Sequence, residues 1–286
     1  MTSILITTPI RNSEPTLWEY LTSIEDNITF YKYRMWDKGI GDFGVTDKGR
    51  MGSYQPEIGY YFISHDNNDR TLDILDSFCY DNPNANIESL KSGVDLKAER
   101  HDWTNDQIMY LSKLRDLCLN RAEDHNYDYV LMVDSDVILQ KQTLHSLIEL
   151  SQGEHVVNTA ILAHWDKGKI HTNYNKVMGK RIDYDTGKVD PNKYDDYNGL
   201  QVTTSEIGMD FKTNKPIEVS VAFMSWLIPV KLLDRLSFAG SGERQFDFKI
   251  FSKLCRDNNI KQVVDFKYPA THIEKSGVIL KYKESY

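Results

Sequence analysis

The sequence predicts an α/β protein: a mostly parallel central sheet flanked by helices, followed by an irregular region in the second half. Three observations predict it. Apolar strand-like runs alternate with helical 3–4 spacing over the first ~150 residues, the pattern of βαβ units. The stretch Tyr127–Gln140, YDYVLMVDSDVILQ, contains an unbroken apolar run, Tyr129–Val133. Such a run reads as a strand buried on both faces. Finally, three strands each end in a polar cluster: Thr8–Arg11, His65–Thr71 and Asp134–Asp136. A parallel sheet brings such ends to one edge, where its ligands bind.

In chain order, Ile4–Thr8 is a first strand halted by Pro9, and Arg11–Ser13 a polar loop. Pro15 suits the first turn of a helix carrying Leu17, Trp18, Leu21 and Ile24 at helical spacing. Tyr31–Gln55, rich in Gly, Lys and Asp, reads as an active-site loop or insertion. Ile58–Ser64 is a strand and Leu72 to about Tyr80 a helix. Pro83–Trp103 is ambiguous, with Val94 and Leu96 as a possible short strand. Ile108–His125 is a helix, spaced by Ile108, Leu111, Leu114, Cys118 and Ala122. After the Asp134 strand come a helix at Gln142–Leu150 and a strand at Val156–Ala163. Lys167–Phe211 is irregular, and a run that long inside a domain is usually functional. Val219–Ile228 reads as a strand or hairpin, Pro229–Leu236 as a helix start and Phe246–Asn258 as a helix. Gln262–Phe266 is a strand, and Tyr268–Lys275 a closing loop with His272.

With 286 residues, 40% of them hydrophobic, the chain can bury one large core. The expected organisation is a single domain, 1–286, with halves 1–165 and 166–286. A formal charge of −8 and no Lys/Arg-rich block disfavour tight non-specific binding to a phosphate backbone. Cys79, Cys118 and Cys255 make neither a disulfide framework nor a zinc pattern. The start, MTSILITTPIRN, reads as a strand rather than a signal peptide. No window approaches the ~18–20 apolar residues of a membrane helix. A soluble, cytoplasmic protein is expected.

The chemistry concentrates at Asp134 and Asp136. Ionised carboxylates at the end of a buried strand cost several kcal/mol each unless paired. A divalent cation holding a diphosphate is one such partner, since Mg²⁺ takes one or two carboxylates and fills its shell with phosphate oxygens and water. An acidic turn where a strand meets solvent is the plainer alternative. His65, His101, His164 and His171 have no ligand-like spacing, and Trp103 and Trp226 fit core packing better than stacking on a sugar or base.

In this order of elements the chain resembles glycosyltransferases of the GT-A, Rossmann-like fold, in particular family-2-like and mannan-polymerase-type enzymes. The resemblance rests on Thr8-Pro9-Ile10-Arg11, on Asp66-Asn67-Asn68-Asp69-Arg70-Thr71, on Leu114-Arg115-Asp116, and on Asp128 through Val137. It covers residues 1–165 well and 219–275 more faintly. It implies a nucleotide-sugar-binding half and an acceptor-binding half with the long loop 167–211. It also implies Mn²⁺ or Mg²⁺ on Asp134, Asp136 and His272. Thr8, Pro9, Arg11, Asp66, Arg115, Asp134 and Ser135 would contact a donor such as a UDP- or GDP-sugar. Asp247 or Glu243 would be the base that deprotonates the acceptor hydroxyl. The family's adjacent Glu-Asp is replaced here by Glu243-Arg244-Gln245-Phe246-Asp247, which leaves the identity of the base and the stereochemical outcome open.

Two rivals remain at this point: a nucleotidyltransferase, and a non-catalytic nucleotide-sugar-binding module. Pro9-Ile10-Arg11-Asn12 lacks the glycine-rich loop that the first of them normally carries. Composition resembles that of stand-alone phage or viral transferases acting in a host cytoplasm. The acceptor could be a modified DNA base, a glycan or a protein.

Overall fold

The computed structural model describes residues 2–37, 44–45, 51–52, 56–93, 104–165, 169–172, 174–175, 181–182, 189–190, 212–240 and 246–273. The elements are β1 (Ser3–Ile10), α1 (Glu14–Asp37), β2 (Gly44–Val45), β3 (Met51–Gly52), β4 (Glu57–His65), α2 (Thr71–Asp81), β5 (Ala85–Leu90), α3 (Asn105–Asp124), β6 (Tyr129–Val133) and β7 (Val137–Ile138). There follow α4 (Thr143–Ser151), β8 (Val156–Trp165), β9 (Lys169–Thr172), β10 (Tyr174–Asn175), β11 (Arg181–Ile182) and β12 (Val189–Asp190). The chain continues through β13 (Ile217–Val219), β14 (Val221–Ala222), β15 (Ser225–Pro229), a 3-10 turn (Val230–Arg235), α5 (Asp247–Asp257) and β16 (Gln262–His272).

One sheet runs β13-β16-β8-β15-β6-β1-β4-β5, with β7 added to β16 and β9 to β8. The pairs β1–β4, β1–β6, β4–β5 and β8–β16 are parallel, whereas β15 runs antiparallel between β6 and β8. The protein is therefore mixed α/β with a mostly parallel sheet.

Alternate side chains of each central strand enter opposite cores, as the two-residue strand period requires. Ile4, Ile6, Phe62, Leu131 and Val133 pack with Leu17, Tyr20, Leu21 and Ile24 of α1 and with Leu144 and Leu147 of α4. Leu5, Ile63, Val130, Met132 and Trp226 pack with Leu114 and Cys118 of α3 and with Phe251 and Cys255 of α5. Val130 through Val133 have no solvent exposure, the two-sided burial expected of that strand.

Several boundaries differ from the sequence expectation, each for a local reason. Strand β1 continues through Pro9 to Ile10, because pairing with β6 ends at Thr7 while pairing with β4 continues. A proline is tolerated where one side of a strand has no ladder to donate to. Helix α1 runs on to Asp37, since Ile28 and Tyr31 extend its buried stripe into the supposed loop. Trp18 of that helix is half exposed. Strand β5 occupies part of the ambiguous stretch; Val94, Leu96 and Trp103 lie outside the described residues. The supposed closing loop Tyr268–His272 is the end of β16, which bulges between Asp265 and Ala270 before pairing with β7. Most of 167–211 is likewise outside the described residues. Among the described residues, no helix is long and apolar enough to cross a membrane.

Candidate active site at the strand ends

Two polar clusters form where β1, β4 and β6 end. The first joins the loops after β1 and β4. The Asn12 amide donates to Asn67 Oδ1 (2.6 Å), and the Asn68 amide donates back to Asn12 Oδ1 (2.9 Å). The Glu14 amide donates to Asp69 Oδ2 (3.1 Å), and the Arg70 amide to Glu14 Oε2 (3.0 Å). Asn67 also donates to Ser64 Oγ (2.7 Å), and the Ser13 amide to Thr71 Oγ1 (2.7 Å). Asn12 and Asp66 take left-handed backbone angles, with φ of 47° and 48°, a region that Asn and Asp tolerate better than other non-glycine residues. Asp66 accepts the Ser92 amide (3.0 Å) and lies 3.3 Å from His65 Nδ1. Burial works against its charge, but the Ser92 bonds and His65 outweigh that and hold its carboxyl below the ordinary value.

The second cluster is built around the Asp134-Ser135-Asp136 turn. The Asp134 amide donates to the Met224 carbonyl (2.9 Å), and the Val137 amide closes the turn on the Asp134 carbonyl (2.9 Å). The start of α1 and the residue before it support the turn: Ser135 Oγ and Ser13 Oγ are 2.8 Å apart, and Thr16 Oγ1 donates to the Ser135 carbonyl (3.0 Å). Because β7 pairs with the end of β16, the Ile273 amide reaches the Asp136 carbonyl (2.8 Å), and His272 Nε2 comes to 3.4 Å from Asp136 Oδ2.

Arg115 of α3 lies opposite. Its Nη2 donates to Asp134 Oδ1 (2.6 Å) and its Nη1 to Asp247 Oδ2. Beneath it are the rings of Trp226 (4.8 Å to the centroid) and Phe238 (5.6 Å), where a desolvated guanidinium gains cation–π attraction. Trp226 is fully buried, so its place is core and platform rather than ligand wall. Burial works against Arg115's charge, yet Asp134 and Asp247 more than compensate and raise its pKa. The Asp134 carboxyl is pushed up to about 6, chiefly by burial; Arg115 opposes that shift, while Asp136 and Asp247 add to it.

Among the described residues, three carboxylates thus meet one guanidinium and one imidazole. The side chains of Asp134 and Asp136 remain 27% and 29% exposed, whereas those of Asp247 and Arg115 are nearly closed off, at 6% and 7%. Asp247 opens α5, with its Oδ1 accepting the Phe248 amide (2.7 Å).

The three proposed metal ligands are divided between two pairs. Asp134 faces Arg115 and Asp136 faces His272; among the described residues no three His, Cys, Asp or Glu side chains converge as a metal centre. A carboxylate oxygen beside an imidazole nitrogen still suits Mn²⁺ or Mg²⁺, which complete their shells with water and phosphate oxygens. Thr8 is fully buried, Pro9 lies in the strand, and Arg11 is half-buried in the loop that follows. Glu243 and His101 lie outside the described residues. Sequence reasoning missed Ser13, Thr16, Met224 and Asp116. A visible signal was the box Thr104-x-x-Gln107 that caps α3, with Gln107 N 3.3 Å from Thr104 Oγ1 and Thr104 N 2.9 Å from Gln107 Oε1.

No family model matches this sequence, and no curated protein matches it. Solved structures similar to it include S. aureus TarS 1–349, at 16% identity and a TM-score of 0.49, covering 94% of this chain and 59% of that one. The complex of TarS 1–349 with UDP-GlcNAc gives 17% identity and a TM-score of 0.46, covering 94% and 57%. GalNAc-T7 with UDP, GalNAc and Mn²⁺ gives 10% identity and a TM-score of 0.47, covering 96% and 43%. The chain spans less than two thirds of the length of each. Likeness at this level carries no functional weight, which falls instead on the residues of the site.

Proposed function

We propose that the protein is a metal-dependent glycosyltransferase of the GT-A type, moving a sugar from a nucleotide-sugar donor, such as a UDP- or GDP-sugar, to an acceptor hydroxyl. The observation that supports it best is the charge imbalance at the carboxyl ends of parallel strands, where, among the described residues, Asp134, Asp136 and Asp247 outnumber Arg115. In this reading Asp136 and His272 hold Mn²⁺ or Mg²⁺. Bound there, the ion supplies Lewis-acid neutralisation of charge on the departing diphosphate.

Asp134 and Arg115 fix the turn that carries Asp136, and Arg115 approaches a donor oxygen. Thr8, Pro9 and Arg11 border the nucleotide through backbone and loop. Asp66, already accepting from Ser92, faces the base or ribose with its remaining lone pairs. Ser135 presents the turn. The acceptor's proton goes to Glu243 or Asp247. General-base assistance of this kind is typically worth about 10²–10⁴-fold. Asp247, at the start of α5, is held in place by Arg115.

A thermal-shift panel of nucleotide sugars, with and without Mn²⁺, tests this reading on wild type and Asp136→Ala. One donor giving a manganese-dependent shift that the variant loses is the expected result. Full donor binding and turnover by Asp136→Ala would refute the site.

A further inference from the structure

Besides its apolar packing, helix α3 holds the second half of the chain through the charged side chains of two adjacent residues. Arg115 holds Asp247 at the start of α5. One residue on, Asp116 gathers three donors from consecutive residues: Ser237 Oγ (2.7 Å), the Phe238 amide (2.6 Å) and the Ala239 amide (3.1 Å). Ser237 Oγ in turn accepts the Gly240 amide (2.8 Å). Gly240 has φ of +53°, and a Cβ there would come within 2.7 Å of Ile250 Cγ2 on α5. The turn 237–240 is therefore pinned between α3 and α5, and only glycine fits its last position. Packing alone would not require a carboxylate at 116; three convergent donors do.

We infer that Asp116 is a positioning residue: together with Arg115 it fixes both described ends of the connection from Gly240 to Phe246, and so sets where the Asp247 carboxylate stands against Asp134. The inference rests on the proposed site for its consequence in turnover, but not for its structural content. Loss of Asp116 frees the 237–240 turn, the start of α5 shifts with it, and Asp247 no longer meets Arg115 squarely. The donor-side strand ends of β1, β4, β6 and β16 keep their own hydrogen bonds, and Arg115 keeps its bond to Asp134.

Hydrogen exchange on Asp116→Ala tests the structural content directly. Exchange is expected to speed up at 237–240 and also over the first turn of α5, 247–250, while β1 and β6 amides keep wild-type protection. Acceleration confined to 237–240, or spread equally through the sheet, overturns the inference. Kinetics test the consequence, with UDP release from UDP-GlcNAc, other UDP-sugars and GDP-sugars in Mn²⁺ as the readout. Asp116→Ala should lower kcat about a hundredfold, the cost of a misplacement near 1 Å. KM for the donor and the Kd for UDP with Mn²⁺ should stay within about twofold of wild type, since that binding surface is not disturbed. Asp116→Asn, which keeps one acceptor oxygen, should recover part of the loss. A parallel rise in KM and Kd, or an unchanged kcat, counts against a positioning role. If wild type neither binds UDP with Mn²⁺ nor turns over a donor, the glycosyltransferase reading falls, while the exchange result still decides the role of Asp116.

Discussion

The two polar clusters at the strand ends contain similar residue types but are built differently. Between the loops after β1 and β4, donors and acceptors answer each other: Asn12 with Asn67 and Asn68, Glu14 with Asp69 and Arg70, Ser13 with Thr71. That cluster is a latch, satisfied from within. Around Asp134 the count among the described residues does not close, since three carboxylates meet one guanidinium and one imidazole. Polarity at a sheet edge is ordinary, whereas uncompensated charge there is costly and needs a reason. The contrast separates framework from candidate chemistry, and each prediction below sets one side against the other.

The largest effect should come from Arg115→Met. Removing the shared cation leaves Asp134 and Asp247 without their partner, and breaking a buried pair from one side typically costs about 3–5 kcal/mol. A lowered denaturant midpoint in urea is the measurement, and a loss below about 1 kcal/mol would mean that the carboxylates have other support.

Next is the pH dependence that Asp134 imparts. Its carboxyl is raised from 3.8 to about 6, so the folded chain holds that proton more tightly than the unfolded one. The associated stability is present below the unfolded value and lost as pH climbs through about 6. One unit corresponds to about 1.4 kcal/mol, so about 3 kcal/mol is at stake. Thermal melts between pH 4 and 7 should show wild type losing stability relative to Asp134→Asn, which has no such proton to lose. In the latch, Asp66, held below its ordinary value, instead contributes stability that is lost on acidification.

A smaller loss is expected in the latch itself. Asn67→Ala removes a bond to the Asn12 amide and one to Ser64 Oγ, costing about 1–3 kcal/mol if the amide stays unpaired. Manganese-dependent nucleotide binding should persist in this variant if its Tm loss is purely structural.

The same contrast marks what was legible in the sequence. The β6 run, its terminal acids and helix α3 could be read because each signal is local: a buried strand and a helical stripe declare themselves within some twenty residues. Strand β5 escaped because it lies at the sheet edge, with Asn86, Glu88 and Ser89 exposed. The end of β16 escaped because its carbonyls are met by side chains rather than by an even ladder. Thr143 and Thr159 donate to the Tyr268 carbonyl, and Gln140 donates to that of Pro269. Asp247 lies 132 residues beyond Arg115, and only the assembled sheet shows that one guanidinium serves two acids.

The smallest effect on stability should accompany a decisive effect on ligand binding. Asp136→Asn removes one charge from an over-acidic cluster and keeps the shape of the side chain. The fold should gain up to about 1 kcal/mol, because a like charge near Asp134 has gone. The Mn²⁺-dependent shift with UDP or GDP should vanish, since a neutral amide is a poor substitute for a carboxylate toward a hard cation. Loss of an outer partner costs metal affinity about 10–100-fold, and loss of a direct ligand should exceed that. An Asn variant less stable than wild type would assign Asp136 to the framework. One more stable yet unable to bind Mn²⁺ would place its charge in service of the ion.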